Sequence, residues 1–381
     1  MRAFRGMIAV AALLAVSGCF KMNIDLGNLG GGGRPKGGSG EPGGGASPGQ
    51  LPASSGGSWR DLATHYAGGT FLGAEHGAIF YAFDTLAHPT KPVELAVKLL
   101  SARDLKALPG VTVAIYRDEY LAGRVTTQSD GIARLLWAPP RAGDYSFQAK
   151  IVAVPDESYR ELLQIAPAPL LVAARPKDTP SVVIDLDHTV VDSSFFRVLL
   201  GGGKPMADSV AVTKRIARHY GIIYLTHRPD LMTRNSKRWL IDNGYPRAPL
   251  LVSEMKDVFD SGEFKTAKLS EVRKAFPGVV IGIGDKLSDA QAYVDNGLTA
   301  YLIPHYKQKP KDMRKMAKEI RRLRGKGRLQ VVSGWRELEQ GLFARRPFTP
   351  SAFADRLDAA ADQMERAERL RKQRDDDDDD D

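Results

Sequence analysis

The chain predicts two folded parts: an α/β domain with a doubly wound parallel sheet and no large cap, preceded by a small antiparallel β-sandwich. Three observations carry this. Apolar, largely β-branched runs at 182–184, 222–225 and 279–283 each end in polar residues, as buried parallel strands do where a crevice opens at their carboxyl ends. Helix-length segments lie between those runs. Upstream, residues 78–152 alternate apolar and polar positions in short runs separated by turn residues, the pattern of a sandwich. The 381 residues suffice for both units with tails.

The N-terminus carries Arg2 and Arg5, an apolar run from Met7 to Val16, then Ser17-Gly18-Cys19. A charged start, a short apolar stretch and small residues form an export signal over 1–18, and the run is too short to span a bilayer. Val-Ser-Gly-Cys resembles the bacterial lipobox, which implies acylation of Cys19. The resemblance implies a lipoprotein of the cell envelope, and Phe20 matches the pattern sent to the outer membrane, facing the periplasm or the cell surface. Cys19 is the single cysteine, so an intrachain disulfide is excluded. Residues 19–58 are dominated by Gly, Pro and Ser beyond Gly27. They lack the apolar groups for a core and read as a flexible tether.

Strands are expected over 78–83, 93–100, 111–116, 132–137 and 144–152, in a sandwich spanning 70–160. Leu108-Pro109-Gly110, Ser129-Asp130-Gly131 and Arg141-Ala142-Gly143-Asp144 supply the turns. Pro109 to Val113, Asp130-Gly131 and Ala142 to Tyr145 resemble bacterial immunoglobulin-like modules. Residues 162–180 read as a Pro-containing connector. The α/β domain is expected over 178–345, with a helix at 207–220 after the Gly201-Gly202-Gly203 turn. Lys307 to Arg328 holds eleven Lys or Arg, opposed by Asp312 and Glu319, with Met313, Met316, Ala317, Ile320 and Leu323 at helical spacing. That helix either lies on an anionic bilayer or packs on the sheet with a solvated charged face. Residues 350–381 read as a charged helix over 352–371 and a disordered acidic tail, Asp375 to Asp381. The formal charge is +9 with that tail included, so the body concentrates anionic substrates or membranes. Export argues against nucleic acid as a partner.

Asp185 and Asp187, spaced i, i+2 at the end of one strand run and followed by Thr189, are costly to desolvate without a cation or a reacting group. The same spacing also occurs in ordinary strand-to-loop turns. A second strand ends in Thr226-His227-Arg228, Gly262-Glu263-Phe264-Lys265 and Lys268 open a helix, and a third strand ends in Gly284-Asp285 with Asp289 four residues on. In this order the four parts resemble the haloacid dehalogenase-like phosphatase superfamily. Leu240 to Leu251, Gly262 to Lys265 and Phe276-Pro277-Gly278 narrow the resemblance to the lipin-type and actin-patch-associated phosphatidate phosphatases, over residues 180 to 305. His188 departs from it, standing where those proteins usually have Asp or Gly; it reads as a loop or site-wall histidine rather than a metal ligand.

The resemblance implies Asp185 as nucleophile and Asp187 as general acid-base. It implies Mg²⁺ held by Asp185, Asp285 and the backbone carbonyl of Asp187, with Asp289 a ligand through water or a support for the others. Thr226 would donate to a phosphoryl oxygen and Lys265, with Lys268 as runner-up, would neutralise the intermediate. His227 and Arg228 belong with substrate binding, Arg228 either as a bidentate clamp on an anion or as a solvated loop arginine. The intervals between motifs leave no room for a cap, so the site is open, which suits a phosphate presented on a bilayer. The implied substrate is phosphatidate or a related phosphomonoester lipid. Two rivals stay open: a phosphomonoesterase of soluble envelope phosphates, and a module that only binds anionic lipid. Lipin relatives that merely bind lipid typically lack the nucleophilic Asp, which is present here.

Overall fold

The computed structural model describes residues 74–192, 203–253 and 261–378. The export signal, Cys19, the tether, Gly201-Gly202 and the last three aspartates lie outside the described residues. The first described part has strands β1 (Ala74–Glu75), β2 (Ala78–Ala82), β3 (Thr85–Ala87), β4 (Val93–Ser101), β5 (Thr112–Arg117), β6 (Tyr120–Thr126), β7 (Ile132–Trp137), β8 (Gly143–Ala153) and β9 (Ala168–Ala174). They form two sheets, ordered β1-β2-β4-β7 and β3-β9-β8-β5-β6. All pairs are antiparallel except β3 with β9. Phe80, Leu95, Val97 and Leu99 of one sheet meet Val113, Ile115, Phe147, Ile151 and Val172 of the other in a shared buried core, as a sandwich requires. The segment read as a connector, 162–180, instead holds the end of a 3₁₀ helix, Glu157–Gln164, and strand β9. The sandwich sheet therefore runs on to Ala174, past residue 160.

The second part has strands β10 (Ser181–Ile184), β11 (Gly221–Pro229), β12 (Leu250–Ser253), β13 (Val279–Gly284), β14 (Thr299–Leu302) and β15 (Leu329–Val331). Its helices are α1 (Ser209–Ile216), α2 (Thr233–Asp242), α3 (Ser261–Ala275), α4 (Leu287–Asp295), α5 (Pro310–Arg322), α6 (Trp335–Phe343) and α7 (Pro350–Asp378). The sheet order is β12-β11-β10-β13-β14-β15 with every pair parallel. The chain builds outward from β10 in one direction and then returns to its other side with β13. That reversal opens a crevice at the carboxyl end of β10. Val182, Ile184, Ile222 and Tyr224 face α1, α2 and α6, while Val183, Ile223 and Leu225 face α3, α4, α5 and α7. Burial on both faces explains why these strands read as continuous apolar runs.

In the C-terminal third, one open alternative is decided and one expectation needs correction. The apolar stripe of α5, Met313, Ala317 and Ile320, is buried in the core with Phe353, Ala354 and Leu357 of α7. It is thus spent on packing rather than left for a bilayer, and Arg314 and Arg321 pair with Asp362 and Asp355 across the two helices, each at 2.8 and 2.7 Å respectively. Nor does the acidic run begin as tail, since α7 continues to Asp378. Among the described residues no helix is long and apolar enough to cross a membrane.

Candidate active site

Asp185 follows β10 directly, its backbone N–H donating to Ile283 O at 2.9 Å, so the parallel ladder carries it to the sheet's rim. Beyond it the chain turns tightly: Leu186 O accepts from the N–H groups of Val190 and Val191 at 2.9 and 3.0 Å. Trp335, fully buried on α6, donates to Thr189 O at 2.8 Å and fixes the turn from outside. His188 adopts φ 54°, a region that Gly and Asp also reach readily, so one backbone shape serves all three residue types. Its ring stacks on His305 at 4.4 Å. Burial, with His305 second, holds its pKa below the usual histidine value.

Asp285 follows β13, and Asp289 lies in the first turn of α4. Gly284 permits this approach: a Cβ there would stand 3.1 Å from that of Asp289. Ligand oxygens of Asp185, Asp285 and Asp289 all lie within 4.8 Å of one another. Lys265, on α3, is buried between two of them, with Nζ 2.9 Å from Asp185 Oδ1 and 2.8 Å from Asp289 Oδ2. Lys268 is on the outer side, paired with Glu271 at 2.9 Å. The geometry therefore brings Lys265, and not Lys268, to the carboxylates.

Three buried carboxylates against one ammonium leave the site rich in negative charge. Burial raises the Asp185 pKa to about 6; Lys265 opposes the rise, and Asp289 and Asp187 add to it. Asp285 is pushed well above the carboxylate range by burial, then by Asp185 and Asp289. Burial works against the charge on Lys265, but Asp185 and Asp289 outweigh it and hold the ammonium firmly protonated. Asp285 Oδ1 is buried with no hydrogen-bond partner. An orphaned carboxylate oxygen within an all-oxygen donor set fits a hard divalent cation such as Mg²⁺.

The remaining expected residues divide. Thr226, buried within β11, accepts the Arg228 N–H at 3.2 Å, which leaves its own hydroxyl proton to donate. His227 is half-buried. Arg228 is neither an open anion clamp nor a solvated loop residue: it is buried, and its guanidinium is committed to Asp187 and Ser236. The Asp187 side chain accordingly lies on Arg228 and outside the trio of carboxylates. His305 and Ser236 escaped the sequence reading, since neither belongs to a motif and only the fold brings them near.

The comparisons bear on this same segment. Residues 182–303 match the family model described as PITM 1-3, LNS2 domain. About a third of the chain is thus similar to a lipin-related, haloacid dehalogenase-like domain, and the match spans Asp185, Thr226, Lys265, Asp285 and Asp289. No curated protein matches the chain. Among solved structures it is similar to a chain of the Pnkp1/Rnl/Hen1 RNA repair complex, at 16% identity over 41% of this chain and 58% of that one, with a TM-score of 0.31. It is also similar to the D00-D0 domain of Intimin, at 14% identity over 27% and 50%, with a TM-score of 0.20. The Lin-41 filamin domain is 17% identical over 26% and 92%, with a TM-score of 0.19. Scores this low carry no conclusion about fold or activity.

Proposed function

We propose that the LNS2-like segment makes this chain a Mg²⁺-dependent phosphomonoester hydrolase that works through an aspartyl-phosphate on Asp185. Its substrate would be phosphatidate or a related phosphomonoester lipid, released as diacylglycerol and phosphate. The observation that carries the reading is the convergence of Asp185, Asp285, Asp289 and Lys265 at the carboxyl edge of a parallel sheet. Such a cluster serves no packing purpose, because burying like charges together destabilises the fold.

The chemistry follows from the groups in place. Asp185 attacks phosphorus, the bond from phosphorus to the glycerol oxygen breaks, and that oxygen takes a proton from Asp187. Water then adds to phosphorus, Asp187 takes its proton, and the bond to Asp185 breaks. Thr226 donates to a phosphoryl oxygen, and Lys265, held cationic, balances charge on the acylphosphate. When bound by Asp185, Asp285 and Asp289, Mg²⁺ supplies the positive charge that lets a phosphate dianion enter among carboxylates. The same reading places the protein at the envelope membrane through acylated Cys19, with the open site turned to lipid headgroups.

Mg²⁺-dependent phosphate release from phosphatidate micelles, measured beside glycerol phosphate, sugar phosphates and nucleotides, tests this. Faster turnover of phosphatidate is expected, falling to background in Asp185→Asn. Preference for soluble esters would reject the lipid, and full activity in Asp185→Asn would reject the covalent route. Vesicle binding without phosphate release would identify a binding module.

A further inference from the structure

Asp187 and its partner Arg228 form a second arrangement, distinct from the trio of carboxylates. Arg228 Nη2 donates to Asp187 Oδ1 at 2.7 Å, and Nε donates to Oδ2 at 3.1 Å and to Oδ1 at 3.3 Å. This is the two-donor fork that arginine alone presents to a carboxylate. A third nitrogen, Nη1, donates to Ser236 Oγ on α2 at 3.0 Å. The arginine side chain is 1% exposed and that of Asp187 21%. One member of the pair is thus locked from three sides while the other keeps an open margin.

The lock extends into the sandwich. Immediately after Arg228 and Pro229, Asp230–Met232 forms a single 3₁₀ turn. Fully buried Asp230 is held by Lys98 of β4, Nζ to Oδ2 at 2.6 Å. Leu231 and Met232 pack in one buried cluster with Ile79, Tyr81 and Leu100 of the sandwich. The turn that directly follows Thr226 and Arg228 at the end of β11 therefore has the neighbouring domain as its outer wall.

Building on the hydrolase reading above, we propose that Arg228 is the positioning residue for Asp187, and that the β-sandwich sets Arg228 through Lys98 on Asp230. The fork fixes the plane of the Asp187 carboxylate for the second half of the reaction. There Asp187 accepts a proton from water, the water oxygen bonds to phosphorus, and the phosphorus–oxygen bond to Asp185 breaks with its electron pair returning to Asp185. A carboxylate free to rotate misses that alignment, and small misplacements are costly in rate. The sandwich is on this account part of the catalytic unit and not a spacer.

The experiment is rapid-mixing kinetics of the full chain with Mg²⁺ and p-nitrophenyl phosphate, whose leaving group departs without a proton. In Arg228→Ala a burst of nitrophenolate close to one per enzyme should survive. Steady-state kcat should fall about 10²-fold with kcat/KM little changed, KM falling alongside kcat, because the phosphoenzyme accumulates. Millimolar guanidinium should restore part of the turnover. Lys98→Met, in the other domain, should show the same burst with kcat lowered about tenfold. Burst and turnover lost in proportion, with no response to guanidinium, would overturn the role of Arg228; wild-type kinetics in Lys98→Met would overturn that of the sandwich. If Arg228→Ala does not fold, Arg228→Lys, which keeps the charge and loses the fork, decides on the same readout. A wild-type chain that hydrolyses neither this ester nor phosphatidate would instead sink the hydrolase reading itself.

Discussion

Asp285 bears the least compensated charge in the site: one oxygen has no partner, and Asp185 and Asp289 crowd it. Its raised pKa, with that of Asp185 at about 6, makes a definite statement about stability. A carboxylate whose folded pKa exceeds its unfolded value, 3.8 here, stabilises the fold while protonated. That contribution is complete below the unfolded value and lost as pH rises through the folded one. With EDTA present, the melting temperature should therefore fall as pH rises from about 5 to 8. Mg²⁺ needs the ionised carboxylates and displaces their protons, so its stabilising shift should be larger at pH 8 than at pH 5. Asp285→Asn should raise the EDTA melting temperature at pH 8 and remove most of the Mg²⁺ shift. Equal shifts at both pH values would show that these carboxylates do not hold the metal.

At the scale of elements, the crevice depends on how closely α4 lies on β13. Gly282 makes this approach possible, because a Cβ there would overlap the ring of Tyr293, a fully buried side chain whose hydroxyl donates to Ile283 O at 3.3 Å. Gly282→Ala must push α4, and Asp289 with it, away from the rim. Overpacking of this kind costs about 1–3 kcal/mol, read as a lower urea midpoint with an unchanged slope, together with weaker Mg²⁺ binding. Such closeness was only partly legible. Ile132–Trp137 was plain because its pattern and its turns agree, and the rim strands because each ends in a carboxylate or hydroxyl. Tyr120–Thr126 was not, since it lies at a sheet edge, holds Gly123 and is largely exposed. Ala168–Ala174 was masked by Pro169, tolerated because the start of β9 has no strand on its outer side and the Leu171 N–H goes to Asp84 Oδ1 at 2.7 Å. In the site, motif spacing named Asp185, Asp285 and Lys265, but the partner of Arg228 follows from packing and has no local signal.

For the whole molecule, Asp84 is the residue through which strands of both domains are tied to one buried group. It is buried after β2, and its Oδ1 accepts from Leu171 of β9 while its Oδ2 accepts from Leu250, the first residue of β12, at 3.0 Å. Lys237 of α2 lies 2.7 Å from the same carboxylate and also donates to Ala82 O and Pro169 O at 2.8 and 3.0 Å. Strand β9 of the sandwich and the edge strand β12 of the parallel sheet thus share one anion, and one cation from the α/β domain neutralises it. Removing the acid leaves a buried ammonium and two unpaired N–H groups, a loss of about 3–5 kcal/mol. Asp84→Ala should therefore split a single calorimetric transition of the full chain into two, the sandwich and the α/β domain melting apart. Lys237→Met, which removes only the cation, should weaken the coupling but keep both amide bonds to Asp84. A single unshifted transition in Asp84→Ala would mean that the apolar contact of Leu231 and Met232 with Ile79 and Tyr81, together with the Lys98–Asp230 pair, suffices to join the domains.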